Sequence, residues 1–564
     1  MRRRMVLITL IAASIATGGC NGPNEKEKLL SNFIEARMEK AGPLEKQAAL
    51  AYWQAAVTGD DAEYDRAGKL TFRVRKIFSS RGDFAMIADL KENGRIEDPL
   101  LERQLTVLYN RYLRNQIDEK LLSRMVELST KIEQKFSTHR GTIAGEQVTA
   151  NQIKQILKTE TDSQKRKAAW LASKQVAPVI ADDLIALVKL RNRGARRLGF
   201  DSYHTLSLVT TEQEVEAVDA IFAELYELTQ KPFAEMKAEL DAILAKKYNV
   251  SVEDLRPWHY HDPFFQETPM IYDLDLDAYY RDKDVKTLGE AFYAGIGLPV
   301  DAIMANSDLY ERQGKNPHAF CTDIDREGDV RILCNLVNNE AWMETLLHEL
   351  GHAVYDKYND PGMPYLLREP AHAFTTEAVA MFFGRLSRNP AWMQDMLGLS
   401  DVQRAEIEIV GDRYARMKQL IFARWAMVMY EFEKALYANP RQDLNTLWWD
   451  MVEKYQMVHR PDGRDEPDWA AKIHFAIAPC YYHNYMLGEL LASQMHHHLV
   501  HDVLRQDTDE EVSYVGREKA GRWFRQNIFA PGDRYHWNEM IARATGEPLT
   551  AKYFAEQFVK NSND

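Results

Sequence analysis

A His-Glu-x-x-His motif at residues 348–352 constrains this chain more than any other feature. Apolar residues around the motif recur at helical spacing, so we predict that it lies on a helix. On a helix, His348 and His352 are four residues apart and present their imidazoles on one face, where both can bind one tetrahedral zinc ion. Glu349 lies beside them and can take a proton from zinc-bound water. The alternative is a core helix with two hydrogen-bonded histidines.

A candidate third ligand follows the motif. Residues 371–384 form a strongly apolar helical segment in which Glu377 is the only acid. A carboxylate in such surroundings is costly unless it is paired or bound to a metal. Glu377 comes 25 residues after His352, which leaves room for a helix end, a loop and a return helix. Three protein ligands leave a fourth position open for water, so we predict a catalytic site with one zinc ion per chain.

The first residues of the chain are typical of an export signal. Basic residues 2–4 precede an almost wholly apolar segment, residues 5–16, and small residues lead to Cys20. This pattern is similar to a bacterial lipobox and predicts a signal peptide over 1–20, a lipid anchor on Cys20 and a polar tether over 21–28. We therefore expect a lipoprotein of the bacterial cell envelope, facing the periplasm. Simple secretion is the alternative.

Length and charge restrict the remaining possibilities. The chain has 564 residues and no linker-like segment or internal repeat after residue 30, so we predict one helical domain over 29–564 with two lobes around a deep cleft. The net charge is −13, and the acids and bases are interspersed without a basic stripe. This distribution argues against a nucleic-acid partner. The sequence does not define an oligomeric state.

The clearest β pattern directly precedes the motif helix. Residues 316–336 read as a hairpin that would place an edge strand beside the metal, where a peptide substrate could add as a further strand. If Glu327-Gly328 is a two-residue turn, Cys321 and Cys334 face each other and a disulfide is feasible outside the cytoplasm. Two free thiols are the alternative, and Cys480 would be unpaired.

Polar side chains cluster again near residue 480. Lys472, His474 and three tyrosines, Tyr481, Tyr482 and Tyr485, fall within fourteen residues. Tyrosine and histidine are suitable donors to the oxyanion that forms during peptide hydrolysis. Four histidines within 496–501 suggest a second metal site, although a solvent-facing helix edge explains them equally well.

Together these motifs resemble the angiotensin-converting enzyme family of zinc peptidases. The resemblance covers residues 317–490 and implies a mainly α, two-lobed fold around a deep channel, with a small hairpin beside the motif helix. It implies a gluzincin-type peptidyl-dipeptidase that acts on oligopeptides. The implied roles are zinc binding by His348, His352 and Glu377, proton transfer by Glu349, oxyanion stabilisation by His474 and Tyr485, binding of the substrate's C-terminal carboxylate by Lys472 and Tyr482, and binding of the substrate main chain by His318 and Ala319.

The sequence departs from the family pattern at three places. The Trp-x-Gln element of the carboxylate pocket corresponds here to Trp258-His259-Tyr260, so Tyr260 becomes a candidate substrate-binding residue. Asn484 replaces the arginine that is linked to chloride activation in animal members, which predicts little chloride dependence. The spacing after His474 also allows Tyr481 to take the role of Tyr482.

Three functions follow from these patterns. The first is release of C-terminal dipeptides from oligopeptides. The second is cleavage by an oligoendopeptidase or a carboxypeptidase on a similar scaffold. The third is a lipoprotein that binds peptides without cleaving them, which the presence of a complete set of catalytic residues disfavours.

Overall fold

The computed structural model describes residues 24–271, 275–506 and 512–559. The expected signal peptide and the lipidation site Cys20 lie outside the described residues. Residues 25–28 were expected to belong to a tether, but they form the first turn of helix α1, Glu25–Thr58. The reason is a capping box, in which Asn24 accepts the Glu27 N–H and the Glu27 carboxylate accepts the Asn24 N–H.

The described chain is mainly helical, as the sequence predicts, with two small antiparallel hairpins. The N-terminal half contains α2 Asp61–Phe78, α3 Arg81–Asn93, α4 Pro99–Arg114, α5 Glu119–Thr138, β1 Gly141–Ile143, β2 Glu146–Val148, α6 Ala150–Thr159, α7 Ser163–Lys174, α8 Ala177–Arg197, α9 Tyr203–Val209, α10 Val215–Tyr248, α11 Asp277–Tyr280, α12 Val285–Gly295 and α13 Asp301–Asn306. The C-terminal half contains β3 Phe320–Asp323, β4 Val330–Leu333, α14 Glu340–Lys357, α15 Ala373–Gly384, α16 Pro390–Leu397, α17 Asp401–Ala438, α18 Leu444–Gln456, α19 His474–Ile477, α20 His483–His498, α21 Glu518–Phe524, α22 Trp537–Thr545 and α23 Lys552–Phe558.

The strands β3 and β4 form the expected hairpin, but in a different register. Cys321 lies opposite Ile332, and both Cys321 and Cys334 are free thiols, so the feasible disulfide is absent. The turn is centred one residue earlier than the predicted Glu327-Gly328 turn. The cause is the carboxylate of Asp323, which accepts the backbone N–H groups of Asp325 and Arg326 and fixes the loop there.

Two apolar clusters organise the interior. The larger one extends from Leu121 to Phe558 and includes the buried faces of α14 and α15. A smaller one is formed chiefly by α1, α2, α3 and α4. Helix α1 is also tied to the β3–β4 hairpin, because Lys46 pairs with Asp325 at 3.0 Å and Glu45 pairs with Arg326 at 3.6 Å. The N-terminal helices therefore form one side of the cavity beside α14. None of the described helices combines the length and the apolar character that crossing a bilayer requires.

Candidate metal centre and active site

The two histidines of the motif lie on α14, in agreement with the sequence-based prediction. Asn339 caps the helix, since its side-chain oxygen accepts the N–H of Trp342 at 2.9 Å. Most apolar residues of α14 are buried, whereas His348 and His352 are partly exposed, with side-chain exposures of 29% and 16%. Packing of the apolar face therefore directs the two imidazoles into the cleft.

Glu377 lies on α15, the return helix, which packs closely against α14. Gly351 permits this approach: a Cβ atom at that position would lie 2.8 Å from the Cα atom of Ala380. On the other side of α15, Gly488 of α20 faces Glu377, and a Cβ atom there would lie 3.4 Å from the Glu377 Cβ. Close packing of three helices thus brings Glu377 to the histidines.

The three candidate ligands converge on one point. His348 Nε2 and His352 Nε2 are 3.2 Å apart, and Glu377 Oε2 lies 3.8 Å from the first and 3.9 Å from the second. Tetrahedral ligands about 2.0–2.2 Å from a zinc ion are separated by about 3.3–3.6 Å. The triangle of donor atoms therefore fits a zinc ion. Among the described residues, this is the only group of three or more potential ligands whose donor atoms lie within 4.8 Å of one another.

The protonation states of the donors also suit a metal. Burial lowers the pKa of His348 to about 4 and that of His352 to about 3, so both imidazoles are neutral at physiological pH. The Nδ1 atom of His352 lies 2.7 Å from Thr376 Oγ1, a contact that orients the ring and leaves Nε2 directed at the triangle. Tyr481 donates a long hydrogen bond of 3.5 Å to Glu377 Oε1.

Glu349 lies beside the triangle and is 8% exposed. Burial, followed by repulsion from the Glu377 carboxylate, raises the pKa of Glu349 to about 8. Such a carboxyl group can both accept and return a proton near neutral pH, as a general base and acid must. Glu349 lines the same cavity as the three candidate ligands, and its role in proton transfer stays a prediction.

The two candidate oxyanion donors lie at the start of α19 and in α20. Burial and the charge of Glu377 raise the pKa of Tyr485, which keeps its hydroxyl protonated as a hydrogen-bond donor. No described residue provides a hydrogen-bond partner for the buried Nδ1 of His474. The ring of His474 packs against the ring of Tyr482, with centroids 5.2 Å apart, and Tyr485 packs on the same tyrosine at 5.4 Å. Contacts with the Tyr482 ring therefore keep His474 and Tyr485, the two candidate oxyanion donors, next to each other.

Lys472 and Tyr482 form the candidate carboxylate pocket. The Lys472 ammonium lies 5.2 Å from the centroid of the Tyr482 ring, and the Tyr482 hydroxyl accepts a hydrogen bond from Trp425 Nε1 at 2.7 Å. Tyr481 instead contacts Glu377, so the position beside Lys472 belongs to Tyr482. Gln266, for which the sequence pattern gives no signal, also belongs to this pocket, because its Oε1 accepts a 2.6 Å hydrogen bond from Lys472.

Tyr260 does not take part in this pocket, contrary to the sequence-based expectation. Its side chain is 2% exposed, and its hydroxyl accepts a hydrogen bond from Lys237 and donates one to Asp241. The chain turns between Tyr260 and Gln266, where the Asp262 carboxylate accepts three backbone N–H groups, including that of Gln266. This turn buries Tyr260 and presents Gln266 to Lys472.

A cavity of about 830 Å³ opens from the metal centre along the β3–β4 hairpin. Its lining includes Glu349 and the three candidate ligands together with Ala319 of the hairpin segment. His318 is exposed and does not belong to the lining. In the described chain, β3 pairs only with β4, so no other strand covers its outer edge.

Comparisons with known proteins agree with this geometry. Residues 24–260 and 264–559 match the sequence model of the peptidase family described as angiotensin-converting enzyme. A thermostable carboxypeptidase 1 of Pyrococcus furiosus is 25% identical over 267 residues, which cover 42% of this chain and 51% of that protein. An angiotensin-converting enzyme of Theromyzon tessulatum is 24% identical over 245 residues, which cover 42% of this chain and 39% of that protein. The chain thus spans about half or less of each of these relatives.

Proposed function

The chain belongs to the angiotensin-converting enzyme family of peptidases, and we propose that it is a zinc-dependent peptidase that releases dipeptides from the C-termini of oligopeptides. The observation that carries the proposal is the convergence of His348, His352 and Glu377 within 4.8 Å beside Glu349. A zinc ion held by these residues would lower the pKa of a water molecule and polarise the peptide carbonyl.

The residues around this centre have distinct parts in the proposed reaction. Glu349 accepts the proton of the attacking water and passes it to the leaving amine. Tyr485 and His474 donate hydrogen bonds to the oxygen of the tetrahedral intermediate. The charge of Glu377 contributes to the raised pKa of Tyr485, which supports the proposal that this hydroxyl acts beside the metal centre.

The proposed length of the product depends on the carboxylate pocket. Lys472 supplies a positive charge that is 7% exposed, with Gln266 and Tyr482 as its neighbours. A charged group in such a buried position gains from pairing with the carboxylate of a free peptide C-terminus. We propose that this pairing places the second peptide bond from the C-terminus at Glu349.

Product analysis tests this proposal. An N-acetylated hexapeptide with a free C-terminus and its C-terminally amidated counterpart are incubated with the zinc-loaded protein, and the fragments are identified by mass spectrometry. The proposal predicts one dipeptide from the free acid and little cleavage of the amide. In the Lys472→Met variant, kcat/KM for the free acid should fall by about tenfold or more, since a charge-assisted pair is lost. Internal cuts in the amidated peptide at the wild-type rate would contradict the proposal.

A carboxypeptidase that releases single residues is the second candidate, because one relative carries that name. The same experiment separates the two candidates. Release of one free amino acid per cut supports the carboxypeptidase, whereas release of an intact dipeptide supports the peptidyl-dipeptidase.

We also propose that the protein is exported and anchored in the bacterial cell envelope through a lipid on Cys20. The support is the sequence pattern of residues 1–20. Membrane fractionation after replacement of Cys20 by serine tests this: the wild-type protein should sediment with membranes and the variant should not. An unchanged distribution would contradict the lipid anchor.

A further inference from the structure

Asp356 has no partner charge in the cavity beside the metal centre. It lies on α14 one helical turn after His352 and lines the cavity of about 830 Å³. In the described chain, the contact found for its carboxylate is the thiol of Cys321, at 3.9 Å, and no cation lies within ion-pairing distance. A partly buried carboxylate without a neighbouring cation has an unfavourable desolvation free energy. A positively charged ligand would offset this cost.

The other charged groups of this cavity are already satisfied. Arg326 pairs with Glu45 and Glu369, and Arg111 pairs with Glu45. The carboxylate of Asp323 accepts backbone N–H groups of its own loop. The remaining arginine, Arg368, bonds to the backbone of Met363 and lies 4.0 Å from Glu327. Away from the metal centre, Asp356 is thus the carboxylate of this cavity that remains to be neutralised.

The charges that face Asp356 make a cation the favoured ligand. Burial, followed by repulsion from Asp323 and Glu369, raises the pKa of Asp356 well above its ordinary value, and Arg326 only partly opposes these effects. A cationic ligand would restore the ionised carboxylate. An anionic ligand would find the arginines of the cavity already paired.

The position of Asp356 relates it to a specific part of a bound peptide. The carboxylate pocket at Lys472 does not contribute to this cavity, so the cavity receives the part of the substrate before the cleaved bond. Asp356 follows the candidate zinc ligand His352 by four helical residues, which advance about 6 Å, and an extended peptide advances about 3.3 Å per residue. Asp356 therefore lies about two peptide residues from the metal centre, where the proposed reaction places the cleaved bond.

Resting on the function proposed above, we propose that Asp356 selects substrates with lysine or arginine as the second residue before the cleaved bond. The ammonium or guanidinium group enters the cavity and pairs with the Asp356 carboxylate, while the peptide backbone follows the open edge of β3. The substrate class is then a short peptide with a basic residue four positions from its C-terminus.

Three peptides, acetyl-Ala-Xaa-Phe-Ala-Ala with Xaa as lysine, norleucine or glutamate, test the assignment. Norleucine keeps the length of the lysine chain without its charge. For the wild-type protein, kcat/KM should be about tenfold higher for lysine than for norleucine, the effect of one partly buried ion pair. Glutamate should be the poorest of the three. Equal rates for lysine and norleucine would overturn the assignment without any variant.

Two variants identify the residue responsible. Asp356→Asn keeps the shape of the side chain but removes the ion pair. It should therefore reduce the preference for lysine over norleucine to less than about twofold. Asp360→Asn is the matched control, since Asp360 is exposed and lies outside the cavity, and it should keep the full preference. Retention of the preference by Asp356→Asn would overturn the assignment. If the wild-type protein cleaves none of the peptides, the proposed peptidase function itself fails.

Discussion

Lys472 Nζ donates a 2.6 Å hydrogen bond to Oε1 of Gln266, although 206 residues separate the two along the chain. The bond joins the loop after α10 to the segment before α19, on the side of the metal centre that carries His474 and Tyr485. Burial lowers the pKa of Lys472 to about 8, so the ammonium form is only partly stabilised until an anion arrives. In the proposed function, this pair would bind the carboxylate end of a peptide.

Tyr485 is expected to act on the transition state rather than on binding. Replacement of Tyr485 by phenylalanine should lower kcat by about a hundredfold with a small change in KM, because one oxyanion donor is lost. Tyr481→Phe is the matched control, since it removes a hydroxyl that contacts Glu377 at 3.5 Å. Steady-state kinetics on the free-acid hexapeptide should show a clearly smaller effect for the control. Equal effects of the two variants would exclude a special role for Tyr485.

Gly351 is expected to set the distance between α14 and α15. Gly351→Ala places a methyl group 2.8 Å from the Ala380 Cα and should lower the free energy of unfolding by about 1–3 kcal/mol. In Gly411→Ala, the control, the added methyl group meets nothing closer than 3.9 Å on α17, and stability should rise by about 0.5–1 kcal/mol. Urea unfolding measures both, and a neutral Gly351→Ala would contradict the close approach.

The buried histidine His261 should make the protein sensitive to acid. Its Nδ1 accepts the N–H of Met270 and its Nε2 lies 2.7 Å from the Tyr248 hydroxyl, so the neutral ring is the form that fits. Burial lowers its pKa to about 3, whereas the unfolded chain takes up the proton near pH 6.5. The contribution of His261 to the free energy of unfolding is therefore fully present above pH 6.5, and it is lost as the pH falls toward 3.

Urea unfolding of the metal-free protein between pH 7 and pH 4.5 measures this effect. The free energy of unfolding should fall by about 1–3 kcal/mol from His261 alone. His261→Gln should be less stable at pH 7 but should lose less stability on acidification. An identical pH dependence in wild type and variant would contradict the assignment.

The proteolytic rate should depend little on chloride. Asn484 occupies the position before Tyr485, is 4% exposed, and its side-chain oxygen accepts a hydrogen bond from Gln213 at 2.8 Å. It carries no charge that could hold an anion beside the oxyanion donor. Rates in chloride-free buffer and in about 100 mM chloride, compared at equal ionic strength, should agree within about twofold. A many-fold increase would show that another residue binds the activating anion.

Local features were predictable from the sequence. The metal triangle lies on two consecutive helices, so the spacing of His348, His352 and Glu377 and the apolar character of the second helix were sufficient to place it. The family resemblance suggested Tyr482 as the neighbour of Lys472 and left Tyr481 as the alternative; the structure places Tyr482 beside Lys472 and Tyr481 at Glu377. Helical periodicity fixes the common direction of His348 and His352, whereas the approach of Glu377 depends on the close packing of α14, α15 and α20 at Gly351 and Gly488.

Features that depend on loop geometry were not predictable. Gln266 was missed and Tyr260 was misplaced because Asp262 turns the loop between them through three backbone hydrogen bonds. The hairpin register was wrong because the Asp323 carboxylate fixes the loop one residue earlier than the Glu327-Gly328 pattern suggested. Whether a cation lies beside Asp356 depends on how distant segments of the chain pack around it. A single sequence gives no signal for that packing.

We propose that His348, His352 and Glu377 hold one zinc ion for a reaction in which Glu349 moves the proton. The most direct test measures zinc content and peptide hydrolysis together for wild type, Glu349→Gln and Glu377→Gln. We expect one zinc per chain and a loss of kcat of about 10²–10⁴-fold in Glu349→Gln, the effect of losing a general base, and loss of both zinc and activity in Glu377→Gln. Full hydrolysis by Glu349→Gln, or full zinc occupancy in Glu377→Gln, would contradict the account.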